Sequence, residues 1–294
     1  MSRIVISTSS SGLDNISISN TIDIIRLRMF INNVEFVDGK NITSERLRML
    51  MTELDCSAVH TTPAPATEIT ELFTNLYHHG YKEVFITTLS SKLSESYKII
   101  KEVANRFTDR MDIYVYDCKE LNICEATLAL EAEHLMSEGK SLGQIAQRLD
   151  DLRRSHKMLF AIDDLSYLIK NKKLSTTAGF FANMFSIKPV LKMTDEGEIV
   201  AVNKIRKIDR ALEHIVDEFA AALQHSDTFG YVFSMGRPEL DKQFMALIQQ
   251  RTGIKSLPIL PVSNISLANH GPTGVGLGVF IGELPFAAAQ FKSL

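Results

Sequence analysis

The sequence predicts an α/β protein with two domains, and three observations support this prediction. At 294 residues the chain reaches the length at which one hydrophobic core usually stops growing, so we expect two cores. Strand and helix patterns alternate through the first half, which is typical of a doubly wound, mostly parallel sheet. The second half combines helices with an antiparallel hairpin, which indicates an α+β domain. We place the domains at residues 1–156 and 157–294.

The elements of the first domain follow from local patterns. Residues 3–8 form a strand that ends in a polar loop, and the alternating residues 25–31 form a half-buried strand. Asn32 and Asn33 turn that strand into a hairpin at about residues 22–38. The other predicted elements are a helix from Thr43 to about residue 54, a stiff loop at 61–65, a helix closing at Gly80, strands at 84–89 and 113–116, and helices at 95–107, 121–138 and 141–155.

The second domain is predicted to mix helices with antiparallel strands. A turn at residues 195–197 joins strands at 187–193 and 199–205 into a hairpin. The other predicted elements are strands at 158–162, 231–234 and 256–262, helices at 164–170, 176–185, 210–223 and 240–252, and a glycine-rich run at 269–278.

The composition is that of a folded globular protein, with 45% apolar and 23% charged residues. A formal net charge of −3 argues against nucleic-acid binding, because neutralising phosphates requires a basic surface. The sequence has neither a signal-peptide pattern nor the ~18–20 consecutive apolar residues that span a bilayer. We therefore expect a cytoplasmic protein with at most transient membrane contact.

Hydroxyl side chains collect in three loops that follow strands or precede helices. These loops are residues 8–11, Thr61 with Thr62, and residues 90–94. Ligands of open α/β sheets bind at this edge, where helix N-termini favour anions. The loops therefore predict a site for a carboxylate or a phosphate. The pattern also allows Ser94 to be simply the N-cap of its own helix.

The sequence lacks the motifs of several catalytic and cofactor sites. No Gly-x-Ser-x-Gly elbow surrounds Ser94, which argues against a serine hydrolase. No P-loop, dinucleotide fingerprint or short spacing of metal ligands is present, so we expect neither a cofactor nor a metal. The pattern leaves open whether His270 contacts an anion or is solvated in a loop. It also leaves open whether Lys173 and the basic residues 204–207 face phosphate, a partner or only solvent.

Several motifs, in order along the whole chain, resemble the DegV family of bacterial fatty-acid-binding proteins. The most specific is the Ser-Ser-Lys-Leu-Ser-Glu-Ser-Tyr segment at residues 90–97, which is similar to Ser-Ser-x-Leu-Ser-Gly-Thr-Tyr in the family. The other similar segments are residues 4–11, 61–65, 116–118, 163–168, 187–191, 204–206 and 270–272.

The resemblance implies that one long-chain fatty acid lies in a tunnel at the domain junction. It also implies that the chain is a non-catalytic subunit, which presents the acid to a separate ATP-binding kinase for acyl-phosphate formation in phospholipid synthesis. The residues carried over as carboxylate ligands are Thr61, Thr62, Ser94 and His270, and those carried over as partner- or phosphate-facing are Lys173 and Arg206. The alternatives are a small acyl- or phosphoryl-transfer enzyme that uses Ser94 and His270, or a sensor of another apolar acid.

The chain departs from the family pattern at several of these positions. Lys173 replaces an arginine, which keeps the charge but loses the bidentate fork. Glu95 and Ser96 stand where the family has glycine and threonine. Alignment leaves open whether Thr61 or Thr62, and whether Asn269 or His270, holds the family position.

Overall fold

The computed structural model describes residues 2–53, 58–175, 187–203 and 205–294. In chain order, its elements up to residue 155 are β1 (Ser2–Thr8), β2 (Asp23–Ile25), β3 (Arg28–Ile31), β4 (Val34–Val37), α1 (Ser44–Glu53), β5 (Val59–Thr62), α2 (Ala66–His78), β6 (Tyr81–Thr88), α3 (Ser96–Ala104), β7 (Asp112–Asp117), α4 (Ile123–Ser137) and α5 (Leu142–Ser155). The later elements are β8 (His156–Ile162), α6 (Ser166–Lys170), β9 (Val190–Met193), β10 (Ile199–Asn203), α7 (Ile208–Phe219), β11 (Thr228–Ser234), α8 (Pro238–Thr252), β12 (Ile259–Pro261), α9 (Asn264–His270), β13 (Gly274–Ile281) and α10 (Ala288–Lys292).

The predicted α/β architecture is confirmed. The first sheet has four parallel strands in the order β2-β1-β6-β7, and a small antiparallel sheet, β4-β3-β5, lies beside it. The second large sheet is mixed, in the order β10-β9-β8-β13-β11-β12, and contains the predicted hairpin of β9 and β10. Every strand of this sheet begins at or after His156. The domain boundary at residue 156 stays a prediction.

Helices cover both faces of each large sheet, which gives the fold its layers. Ile6 and Val84 of the first sheet pack with α2 and α3, whereas Val5 and Phe85 point to the other face, toward α4. Helix α5 packs on α4 and also on β8 and β13. One apolar cluster therefore runs from Phe85 through α4 and α5 to Phe160 in the second sheet. The far face of the second sheet is covered by α7 and α8.

Two predicted elements of the first half were wrong in part. The strand predicted at residues 25–31 is broken at Arg26 and Leu27, so that β2 pairs with β1 while β3 joins the small antiparallel sheet. The stiff loop predicted at residues 61–65 begins as the end of β5, because Val59–Thr62 pairs with β3. The hairpin turn at Asn32 and Asn33 is confirmed, with φ values of 50° and 63°.

The glycine-rich run near the C-terminus includes a central strand, β13, which the sequence did not predict. A Cβ atom on Gly276 would lie 2.2 Å from Cζ of Phe233 and 2.6 Å from Cβ of Phe160. Glycine therefore lets aromatic side chains of the neighbouring strands cross over β13, although its own strand propensity is low.

Some of the sequence predictions concern residues outside the described ranges. The apolar helix predicted at residues 176–185 lies outside them, as does Lys204. No helix among the described residues is long and apolar enough to cross a membrane.

Candidate functional site

A cavity of about 400 Å³ lies where the first half of the chain meets the second. Its volume falls within the range of small-molecule sites, roughly 300–1,000 Å³. The apolar part of its wall comes from both halves and consists of Leu27, Leu89, Leu93, Leu121, Ile199 and Ile265. Thr61, Thr62, Ser94, Lys173 and His270 also line the cavity. The fold therefore brings five of the six residues selected from the sequence to one place, and Arg206 is exposed outside the lining.

The two threonines stand at the end of β5, where the strand reaches the cavity. The Thr61 hydroxyl accepts a hydrogen bond from Nδ2 of Asn269, with 3.0 Å between Oγ1 and Nδ2. Because a hydroxyl also carries one donor, Thr61 keeps its proton for a second partner. Thr62 lines the same cavity and is half-buried. Both threonines therefore line the cavity, and the choice between them as a donor stays open.

Ser94 lies in the turn between β6 and α3. Its backbone N–H donates to the carbonyl of Ser90 at 3.1 Å, and its hydroxyl accepts from the N–H of Ser96 at 3.2 Å. Ser94 is therefore not the N-cap, which is Glu95, although it accepts from the first residue of the helix, Ser96. Ser94 Oγ also lies 2.9 Å from Ser96 Oγ, and that pair leaves one hydroxyl proton for a ligand.

The turn that carries Ser94 is held by the β9–β10 hairpin of the second half. Ser90 Oγ donates to the carbonyl oxygen of Gly197 at 2.7 Å. Gly197 has φ +89°, and a Cβ there would lie 2.2 Å from Ser90 Oγ, so this position requires glycine. Lys173 Nζ donates to the carbonyl of Leu93 from the same side. Contacts across the junction therefore fix the position of the Ser94 hydroxyl.

His270 is the last residue of α9 and is buried, which excludes the alternative that it is solvated in a loop. Ser263 caps this short helix by accepting from the N–H of Ser266 at 3.1 Å, and all seven residues of the helix are buried. The imidazole stacks on Phe160 with 5.4 Å between ring centroids. Nδ1 of His270 and Oδ1 of Asn269 are buried without a hydrogen-bond partner in the described part of the chain. These buried polar atoms beside the cavity are therefore available to hydrogen-bond with a ligand.

Burial lowers the pKa of His270 to about 4, which keeps the ring neutral near pH 7. A depressed pKa means that the ring's contribution to stability is present above the ordinary value of 6.5 and is lost as the pH falls through about 4. We expect NMR titration of the His270 ring to show no protonation between pH 8 and pH 5. A midpoint near the ordinary value of 6.5 would contradict this burial.

The charged groups of the cavity are mainly cationic. Burial lowers the pKa of the half-buried Lys173 ammonium, whose described partner is the Leu93 carbonyl rather than a carboxylate. Lys92 and Lys172 also line the cavity and are exposed. Glu95 is the one carboxylate of the lining among the described residues, and it is exposed. The cavity therefore offers an anion neutral donors inside and ammonium groups at its edge.

Comparisons with known proteins give the same fold over nearly the whole chain. A DegV domain-containing protein of Clostridium acetobutylicum is 25% identical over 263 residues, which are 88% of this chain and 91% of that protein. A fatty acid binding DegV family protein from Streptococcus agalactiae superimposes with a TM-score of 0.84 at 19% identity, covering 96% of this chain and 100% of the other.

A stearic-acid-binding protein from Eubacterium ventriosum superimposes with a TM-score of 0.80 at 20% identity, and the match covers 99% of both chains. The matching family model, described as "Uncharacterised protein, DegV family", spans residues 3–281. Since this match extends over almost all of the sequence, the chain belongs to the DegV family.

Proposed function

We propose that this protein binds a single long-chain fatty acid in the cavity at the junction. In this proposal Thr61 or Thr62, Ser94 and His270 hold the carboxylate, and the apolar wall that includes Leu27 and Leu121 contacts the acyl chain. The observation that carries the proposal is the placement of hydroxyls and a buried neutral imidazole in the lining of one half-apolar cavity. The acid named for a structural neighbour, the stearic-acid-binding protein, supports the ligand class.

The energetics of such a complex are favourable. Burying about fourteen methylenes at ~0.8 kcal/mol each contributes on the order of 11 kcal/mol before entropy costs. The head group then has only to avoid a desolvation penalty, which hydroxyl and ring N–H donors prevent by replacing water. The unpartnered Nδ1 of His270 supplies a donor in the tautomer that carries its proton on that atom.

We also propose that the bound acid is presented, in the cytoplasm, to a separate ATP-binding kinase that forms an acyl phosphate for phospholipid synthesis. Lys92, Lys172 and Lys173 support this step, because ammonium groups at the cavity edge favour a transferring phosphoryl group and its charge. The chain itself is then a non-catalytic carrier. Among the described residues, the hydroxyl of Ser94 bonds to Ser96 and to no general base, which disfavours the alternative of a Ser94–His270 enzyme.

The head-group contacts are tested by comparing three ligands of one chain length on delipidated protein. Stearic acid, stearyl alcohol and methyl stearate are titrated by calorimetry. We expect the ester to bind roughly ten- to a hundredfold more weakly than the acid, because hydrogen bonds to a charged oxygen stabilise by about 1 kcal/mol or more beyond neutral ones. Equal affinity for all three would show that the polar end makes no such contacts.

The carrier role is tested with ATP and the loaded protein. We expect no acyl phosphate, trapped as a hydroxamate, from the isolated chain, and rapid formation when a fatty-acid kinase subunit is added. Lys173→Glu should reduce this rate while the fatty acid stays bound. Turnover by the isolated chain that disappears in Ser94→Ala would instead support the enzyme alternative.

A further inference from the structure

A second cluster of reactive side chains lies in the interior, away from the cavity lining. Glu120 precedes α4, Cys124 stands in the first turn of α4, and His156 is the first residue of β8. The oxygen, sulfur and nitrogen atoms that these residues offer all lie within 4.8 Å of one another. The cluster thus joins the layer between the two sheets to the second sheet itself.

The three side chains are shielded from water. The His156 side chain is 0% exposed and that of Glu120 is 8% exposed, with 2.9 Å between Nδ1 and Oε1. Cys124 is a buried free thiol. Oε2 of Glu120 has no hydrogen-bond partner among the described residues. A buried carboxylate oxygen without a partner is costly, so Oε2 of Glu120 is available to bind a further group.

A thiolate, an imidazole and a carboxylate form a donor set that suits zinc. At zinc–ligand distances of about 2.0–2.3 Å, neighbouring donor atoms of a tetrahedral site lie about 3.3–3.6 Å apart. Atoms that already lie within 4.8 Å of one another reach that spacing by small side-chain rotations. The fold therefore places the three ligand atoms close to the spacing that a zinc ion requires.

The other ring nitrogen of His156 has the support that a metal-binding histidine requires. Nε2 lies 2.9 Å from Oη of Tyr231, which fixes the ring when Nδ1 is the ligand. Gly278 makes room for this tyrosine, because a Cβ at that position would lie 2.3 Å from Cζ of Tyr231. The tyrosine thus reaches His156 from β11 across a glycine of β13.

We propose that Glu120, Cys124 and His156 bind one zinc ion that ties the layer of α4 to the second sheet. Binding displaces the thiol proton of Cys124 to solvent, and the cation neutralises the carboxylate of Glu120. The site is separate from the fatty-acid cavity, since none of its three ligands lines that cavity. We therefore expect zinc to raise the melting temperature of the protein whether or not lipid is bound.

The test begins with wild-type protein prepared in zinc-containing medium and dialysed against a mild chelator. We expect one zinc per chain by elemental analysis and a lower melting temperature after removal with a strong chelator. Replacement of zinc by Co²⁺ should give a thiolate charge-transfer band in the near ultraviolet. Cys118→Ser is the matched control, because Cys118 is also a buried free cysteine.

The band and the zinc should be lost in Cys124→Ser and retained in Cys118→Ser. Glu120→Gln, checked for folding by circular dichroism, should bind zinc more weakly and lose the melting response to chelator. Wild-type protein without stoichiometric zinc, without the cobalt band and with an unchanged melting temperature would overturn the proposal and leave a hydrogen-bonded Glu–His–Tyr cluster only. A band retained in Cys124→Ser would also overturn it.

Discussion

Replacing Thr61, Thr62 and Ser94 together by alanine is expected to abolish retention of a fatty acid. Each hydrogen bond to a charged oxygen contributes about 1.5–3 kcal/mol, so losing two such bonds costs about 3–6 kcal/mol, or roughly a hundred- to ten-thousandfold in affinity. The fold should survive, because Nδ2 of Asn269 keeps its second acceptor, the carbonyl of Ile265 at 2.7 Å. Mass spectrometry of the purified variant measures the bound lipid.

The matched control removes three hydroxyls that lie outside the cavity lining. Thr70, Thr74 and Ser137 donate only to backbone carbonyls of their own helices, and their alanine variant should retain lipid like the wild type. Equal retention by both triple variants would refute the carboxylate contacts. Retention by neither would mean that the loss of lipid reflects general destabilisation.

The second large effect concerns Glu125, which the sequence did not single out. This residue of α4 is fully buried and hydrogen-bonded to the hydroxyls of Thr8, at 2.6 Å, and Ser10. Burial raises its pKa to about 8, against the opposing effect of these hydroxyls. The folded state therefore holds the proton more tightly than the unfolded chain. The contribution of Glu125 to stability is therefore fully present below about pH 4.5. It is lost as the pH rises to about 8.

Glu125→Gln keeps the shape and removes the titration. One pKa unit corresponds to about 1.4 kcal/mol, so the free energy of unfolding of the wild type should fall by a few kcal/mol between pH 5 and pH 8 relative to the variant. Urea unfolding at several pH values measures this difference. Glu71→Gln, at an exposed position, should follow the wild type. Parallel pH profiles for wild type and Glu125→Gln would show that Glu125 is ionised throughout.

Local signals allowed much of the fold to be predicted. Ser141 and Gln144 form the capping box that starts α5, and the Asn32-Asn33 turn closes its hairpin. These features depend on neighbours within four residues, so they are visible in the sequence. The break in the strand at Arg26 and Leu27 could not be predicted from the sequence, because it depends on which sheet each half of the segment joins.

The sequence selected polar residues that line one cavity, but it did not select the apolar residues around them. Motif resemblance selected Ser94 and His270, and the cavity contains both. The helix that carries His270 was missed because it is short and its last two residues were assigned to the glycine-rich run at 269–278, although Ser263 is a recognisable N-cap. The apolar wall, with residues as distant as Leu27 and Ile265, has no sequence signature because tertiary packing alone assembles it.

Buried polar residues were the least predictable. In the sequence, Glu125 resembles an ordinary exposed carboxylate of a helix. In the structure, α4 is enclosed between the other elements and has no solvent-facing side at that position. Glu120 and His156 are 36 residues apart and meet only because β8 starts beside the layer of α4. Such pairs follow from topology, which local spacing does not encode.

Native mass spectrometry of the purified protein tests the central claim most directly. If the protein binds one fatty acid, we expect a single species whose mass exceeds that of the chain by one fatty acid. This additional mass should be lost on denaturation. The identity of the released acid then follows from its own mass. Identical native and denatured masses, together with no uptake of stearic acid by delipidated protein, would contradict fatty-acid binding by this protein.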